Sequence, residues 1–226
     1  MNNRLVPILI GLMAILYIFI VPSEPLAIKV TFKLIPMGLI IFYAMQKLPA
    51  SPGPPLRLIV IGLFFCMLGD GFIAVSFVAG LGAFLVGHLF YLTGFLKMSR
   101  MTKLRISAII PIGLYSLIIG SQLIASLSKA ENDALVIPVI AYMLVISLMA
   151  LSAILTGNKL AIAGSILFVI SDSILSWNMF VSDIVYSDVF IMTTYYSAQF
   201  LIARSLASFR EAAGQITAIP DVKQRL

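Results

Sequence analysis

Eight apolar stretches of membrane-spanning length fill almost the whole chain, at about 5–21, 27–46, 58–77, 80–97, 104–127, 134–156, 159–180 and 187–207. A hydrocarbon core about 30 Å thick needs about 20 such residues in helical form, so each stretch matches one crossing. The breaks between them have local causes. Pro22 and Pro25, the run Pro49-Ala50-Ser51-Pro52-Gly53-Pro54-Pro55, and Gly157-Asn158 all favour turns over continuing helix. The pattern predicts an all-α fold, a polytopic bundle of eight transmembrane helices over residues 1–207 with a polar cytoplasmic tail over 208–226. Eight spans use about 160 of the 226 residues, which leaves no room for a soluble catalytic domain. Any chemistry therefore belongs to side chains on the helices or at their ends. The first stretch carries Arg4 and no small-residue cleavage site before Pro22-Ser23-Glu24-Pro25, so it is expected to be a retained helix rather than a removable signal.

Charge is scarce and segregated. Only 11% of residues are charged, against roughly a quarter in an average soluble domain, and the mean hydropathy is +1.10. The net charge of +6 is scattered between apolar runs and lacks the clustered basic face of a nucleic-acid binder. Arg4, Lys47, Arg57, Lys97, Arg100, Lys103, Arg105, Lys159, Arg204, Arg210, Lys223 and Arg225 fall at the N-terminus, in alternate connectors or in the tail. The opposite connectors hold Lys129 and, at a helix mouth, Lys29. By the positive-inside rule this predicts both termini in the cytoplasm, and an odd number of spans would destroy the segregation. A short chain without glycosylation signals in its outer connectors or a terminal retention signal points to a bacterial plasma membrane. The single cysteine, Cys66, lies inside an apolar run, so no disulfide framework or cysteine metal cluster is expected.

The topology makes the remaining ionisable groups informative, because a charge at mid-membrane costs several kcal/mol unless it faces a polar interior. Lys33, Asp70, His88 and Asp172 stand out in spans two, three, four and seven. Asp70 and Asp172 both lie about 13 residues along outward-running helices, which predicts a shared depth in the outer half of the bilayer and one polar cavity for all four residues. A weak internal repeat points to the same pair. Ile35-Pro36 and Ile137-Pro138 are about 102 residues apart, as are Gly69-Asp70 and Ser171-Asp172, which would make a parallel four-helix repeat. In each half an aromatic-rich helix follows the acid: His88-Leu89-Phe90-Tyr91 in one, Tyr195-Tyr196-Ser197-Ala198-Gln199 in the other. His88 with Tyr91, and Tyr196 with Gln199, share a helical face.

Lys33 with Pro36, Gly69-Asp70, the run from Gly80 to Tyr91, the run from Gly164-Ser165 to Ser171-Asp172-Ser173, and Tyr195-Tyr196-Ser197-Ala198-Gln199 resemble, in order and spacing, the signatures of YhhN-like membrane proteins. The resemblance covers about residues 30–205. It departs from the family pattern at Pro36, which stands three residues after Lys33 instead of directly following it.

The resemblance implies a lysoplasmalogenase, which hydrolyses the vinyl-ether bond of a lysoplasmalogen to a fatty aldehyde and a glycerophospho-ethanolamine or -choline. Such a reaction needs a proton for the vinyl carbon and water for the resulting oxocarbenium-like cation, a division of labour that suits two carboxyls. Asp70 and Asp172 are the pair expected to carry it, in either order. By the same resemblance Lys33 would hold one acid ionised or contact the lipid phosphate. His88 and Tyr91 would orient water or an acid, and Tyr195, Tyr196 and Gln199 would bind the glycerol hydroxyl or shape the cavity. The expected partners are a lysophospholipid substrate and membrane lipid, with no cofactor and no metal, since one His and two Asp make a poor zinc set. The residues also fit blander roles: the acids and His88 as interhelical hydrogen-bond formers, Lys33 snorkelling outward, the tyrosines as packing. A different functional class, a small proton-coupled transporter or lipid-binding receptor-like protein, uses the same midplane acids and lysine.

Overall fold

A computed structural model describes residues 4–217, with side chains through 209, and these residues form an all-helical bundle. Eight helices dominate: α1 (Leu5–Phe19), α2 (Leu26–Lys47), α3 (Pro54–Phe72), α4 (Phe77–Lys97), α5 (Ile109–Lys129), α6 (Val136–Thr156), α7 (Lys159–Phe180) and α8 (Ser187–Thr217). A helical turn at Lys103–Ile106 precedes α5, and a 3₁₀ turn at Asp133–Leu135 precedes α6. Six helical segments are long and apolar enough to cross a membrane; α1 is shorter, at 15 residues. The last helix runs past the expected span end at 207 as far as Thr217, and Lys223 and Arg225 lie outside the described residues.

The arrangement of polarity is that of a protein built for lipid. Leu12, Phe19, Leu117, Ile118 and Ile137 are exposed, while Asp70, His88, Ser165, Ser171 and Gln199 are buried. In water such a surface would drive aggregation; in a bilayer it is the solvent-matched face. The polytopic membrane-bundle expectation is thus met.

Local chemistry sets the helix ends. Gly157 takes the left-handed conformation that ends α6, φ 71°, and the Asn158 side chain accepts from the amides of Leu160 and Ala161 to begin α7. The two-residue break therefore falls where the sequence puts it. The third and fourth spans were expected at 58–77 and 80–97, whereas α3 ends at Phe72 and Ser76 caps α4 by accepting from the Ala79 amide. Pro54 and Pro55 start α3 early, as proline at the first helical positions allows. Asp70 is consequently two residues from the end of its helix, while Asp172 is eight residues from the end of α7, so their helical positions differ.

The tightest pairings are α3 with α4 and α7 with α8; α4 also packs on α6, and α2 on α3 and α8. Small residues make the first pairing close. A Cβ at Gly62 would stand 2.5 Å from the Tyr91 ring, at Gly69 2.7 Å from the Phe84 ring, and at Gly87 2.8 Å from the Cys66 sulfur. Dispersion at such short separations, with no polar group exposed to lipid, is the means by which membrane helices associate. Gly82, also on α4, faces open space. The main core spans α1 to α4 and α6 to α8, whereas α5 joins through a small satellite of Leu123, Leu127 and Val139.

Gly62→Ala is expected to lower stability by about 1–3 kcal/mol, because the Tyr91 ring must move to admit the methyl. Gly82→Ala, which meets nothing within 4 Å, is expected to be neutral or slightly stabilising through helix propensity. Thermal unfolding of both variants in detergent checks the contrast.

Candidate active site

Lys33, Asp70 and Asp172 line one cavity of about 450 Å³ at the end of the bundle where α1 meets α2, α3 meets α4 and α7 meets α8. Tyr195 and Phe84 complete its inner wall, and Ser23, Lys29 and Asp188 stand towards its mouth. Asp188, near the start of α8, is exposed and also faces this cavity.

Asp70 is buried, with 2% of its side chain exposed, and both of its oxygens are engaged. Lys33 Nζ lies 3.2 Å from Oδ1, and the Tyr195 hydroxyl donates to Oδ2 at 2.6 Å. The ammonium and the phenol offset part of the cost of burying this acid. The placement of Lys33 has a backbone cause. Pro36 lacks the amide that would bond the Phe32 carbonyl and so loosens this turn of α2. The Tyr196 hydroxyl donates to the Lys33 carbonyl at 2.8 Å and ties the loosened turn to α8. Tyr196 therefore acts on the backbone of α2 and does not line the cavity, while its neighbour Tyr195 does.

Asp172 has a different setting. It is partly buried, and the Tyr142 hydroxyl donates to its Oδ2. Among the described residues it has no ion-pair partner. It also faces a second, narrower cavity of about 70 Å³, lined by Tyr142, Val139, Ser173, Ser176 and Phe180. One carboxyl thus sits beside an ammonium, and the other sits in a mostly apolar wall beside a phenol. The repeat does not extend to these partners, since Lys33 and Tyr195 serve Asp70 while Tyr142 serves Asp172.

His88 does not join the cavity, contrary to expectation. It is fully buried behind Phe84, which lies one turn earlier on α4 and lines the wall in its place. Its ring packs edge-on against Phe168 at 4.5 Å and Tyr142 at 5.4 Å. Neither of its nitrogens has a hydrogen-bond partner among the described residues. Tyr91 and Gln199 are also buried and also off the cavity; the Tyr91 hydroxyl donates to Gln199 Oε1 at 2.7 Å, linking α4 to α8. The sequence reasoning missed Tyr142. Its one signal was that it is the sole aromatic residue of α6.

Lys33→Met should leave Asp70 buried without a counter-charge and destabilise the bundle by about 3–5 kcal/mol. The double variant Lys33→Met with Asp70→Asn should recover most of that loss, since the amide still accepts from Tyr195. Thermal unfolding of the two single variants and the double variant forms the cycle; an additive result would mean that the pair is not coupled.

Sequence comparison places these residues in a family context. The chain is 37% identical over 133 residues to human lysoplasmalogenase TMEM86B, covering 58% of this chain and 54% of that protein. It is 29% identical over 199 residues to pig lysoplasmalogenase TMEM86B, covering 86% and 82%, and 28% identical over 175 residues to a Mycobacterium bovis lysoplasmalogenase, covering 73% and 66%. The matched stretch spans about half the length of the mouse and human TMEM86B proteins. No solved structure matches the chain. The YhhN family profile matches residues 28–206, a stretch that includes Lys33, Asp70, His88, Asp172 and Tyr195, and the chain therefore belongs to the YhhN family of integral membrane proteins.

Proposed function

We propose that the protein is an intramembrane lysoplasmalogenase that cleaves the vinyl-ether bond of a lysoplasmalogen by two-carboxyl acid–base catalysis. The observation that carries this reading is that Asp70 and Asp172 face one cavity in different electrostatic settings. The names of the relatives point the same way.

The roles follow from the settings. Lys33 favours the carboxylate form of Asp70 by direct charge attraction. Asp172, with a phenol neighbour and apolar surroundings, is better suited to the neutral acid. Asp172 delivers its proton to the vinyl carbon next to the alkyl chain, and positive charge develops across the other vinyl carbon and the ether oxygen. The Asp70 carboxylate stabilises that cation and takes a proton from the attacking water. The hemiacetal collapses to a fatty aldehyde and the free glycerol hydroxyl, with the proton returning to the acid pair. Overall one water is consumed: the C=C π bond and the vinyl carbon–oxygen bond are lost, and a C–H bond, the aldehyde carbonyl and the glycerol hydroxyl are formed, with Asp172 protonated and Asp70 ionised again at the end.

Lys29 and Asp188 at the mouth present a cation and an anion to a zwitterionic phosphoethanolamine or phosphocholine headgroup. Beneath Phe84 the core is filled by buried His88, Phe168, Tyr91 and Phe95. This packed floor stands across a passage through the length of the bundle and favours a reaction chamber over a transport conduit. We place both termini in the cytoplasm of a bacterial plasma membrane, with the residues after α8 as a cytoplasmic tail and the cavity opening on the outer side.

Purified protein in detergent is expected to release fatty aldehyde from a vinyl-ether lysolipid, and Asp70→Asn and Asp172→Asn are each expected to lower kcat by at least about a hundredfold. Release that survives both substitutions overturns the carboxyl roles; absence of release together with proton-dependent uptake in vesicles supports transport instead. A reporter fused after Leu226 should read as cytoplasmic, and an external signal would reverse the orientation.

A further inference from the structure

The cavity that holds the two acids borders a second cavity at Asp172. Four residues, Ile73, Phe84, Asp172 and Leu175, line both it and the narrower cavity behind. That second cavity in turn shares Ser116, Met143 and Ser147 with an apolar groove of about 560 Å³ between α5 and α6. The three spaces thus lie side by side in order, the carboxyl cavity, the neck and the α5–α6 groove, with Ser116, Met143 and Ser147 as the side chains between the last two.

We propose that this series is the binding path of the substrate's hydrocarbon chain, and that the α5–α6 groove sets chain-length preference. The inference rests on the lysoplasmalogenase reading. In a lysoplasmalogen the reacting double bond lies between headgroup and chain, so the chain leaves the acids on the side away from the headgroup. Lys29, Lys33 and Asp188 mark the headgroup side. The opposite wall is the one shared with the neck.

The chemistry of the neck suits a methylene chain. The hydroxyls of Ser116 and Ser147 bond each other at 2.8 Å, and Ser147 also donates to the Met143 carbonyl at 2.6 Å, so their polarity is used within the protein. Met143, an unbranched and adaptable side chain, lies against Gly120 and lines both spaces. Beyond the neck the groove extends inward from Ser116 to Ile109, seven residues and about 10 Å along α5. Its walls there include Ile112, Leu144, Leu148 and Leu151. The loose seating of α5, which joins the bundle through the small Leu123, Leu127 and Val139 cluster, leaves this groove unfilled by protein.

Gly113 offers a clean test because it lines the groove and an added Cβ there meets nothing within 4 Å. Gly113→Leu is expected to lower the ratio of kcat/KM for a hexadecenyl over an octenyl lysoplasmalogen by about tenfold, the burial of about two methylenes. An unchanged ratio in a variant that melts like the parent overturns the proposal. A second readout needs no turnover. A saturated 1-O-alkyl lysophosphoethanolamine with a diazirine at the chain end should label peptides covering residues 109–124 and 140–151. Excess unlabelled lysolipid, but not diacyl lipid, should suppress that labelling. Labelling confined to α1, α2 and α8, or labelling that diacyl lipid suppresses equally, places the chain elsewhere and overturns the groove. If the parent protein releases no aldehyde from either substrate, the enzymatic reading fails, and the labelling pattern still decides whether the groove receives the chain.

Discussion

A carboxylate buried inside a lipid-spanning bundle has to be matched by charge or hydrogen bonds from neighbouring helices, and the contacts of Asp70 organise this structure. Lys33 from α2 lies 3.2 Å away and the Tyr195 hydroxyl from α8 donates at 2.6 Å, so one acid on α3 fixes three helices in register. Unmatched, such a charge would cost several kcal/mol. Tyr196, next to Tyr195 on α8, closes the same circuit through the Lys33 carbonyl. The polar contacts are therefore cooperative: α8 holds both the acid and the backbone of the residue that neutralises it.

That circuit depends on close helix packing. Gly69, the residue before Asp70, lies where any side chain would meet the Phe84 ring. The absence of a Cβ there lets Phe84 seat against α3 and form the cavity wall. Gly62 and Gly87 do the same further along, against Tyr91 and Cys66. Stability and site shape thus share a seam. The rings of Phe84, Phe168, Tyr195 and His88 pack edge to face across α4, α7 and α8, giving a rigid floor to the one polar space that Asp70 needs.

Most of the architecture was legible in the sequence because lipid imposes a simple code of length, apolarity and breakers. Gly157-Asn158 ended and began helices as its chemistry requires. The boundary between α3 and α4 was misjudged because the turn itself is apolar: Ile73, Ala74 and Val75 carry the hydropathy of a span across a bend set by the Ser76 cap. At the site, Lys33, Asp70 and Asp172 were recoverable because ionisable residues are rare in such runs. His88 met the same criterion but faces away from the cavity, since helical register placed Phe84 in front of it. Tyr142 was easily passed over for the converse reason. A tyrosine in an apolar helix is unremarkable until the fold brings Asp172 to its hydroxyl.

The unequal surroundings of the two acids are what the proposed vinyl-ether hydrolysis would draw on. Protonation at carbon is slow unless the acid is neutral and close, and the resulting cation collapses usefully only if a negative charge and a water are at hand. Two identical carboxyls would compete for one proton; two acids in different settings divide the work before substrate arrives. Lys33 supplies that difference on one side, and the phenol of Tyr142, with no cation beside it, supplies it on the other. In the proposed reaction the same asymmetry would orient the substrate, because the charged lining of the cavity suits a headgroup and its apolar lining borders the neck. On the proposed mechanism, catalytic polarity and substrate direction would have one origin, the placement of Lys33 beside Asp70 and away from Asp172.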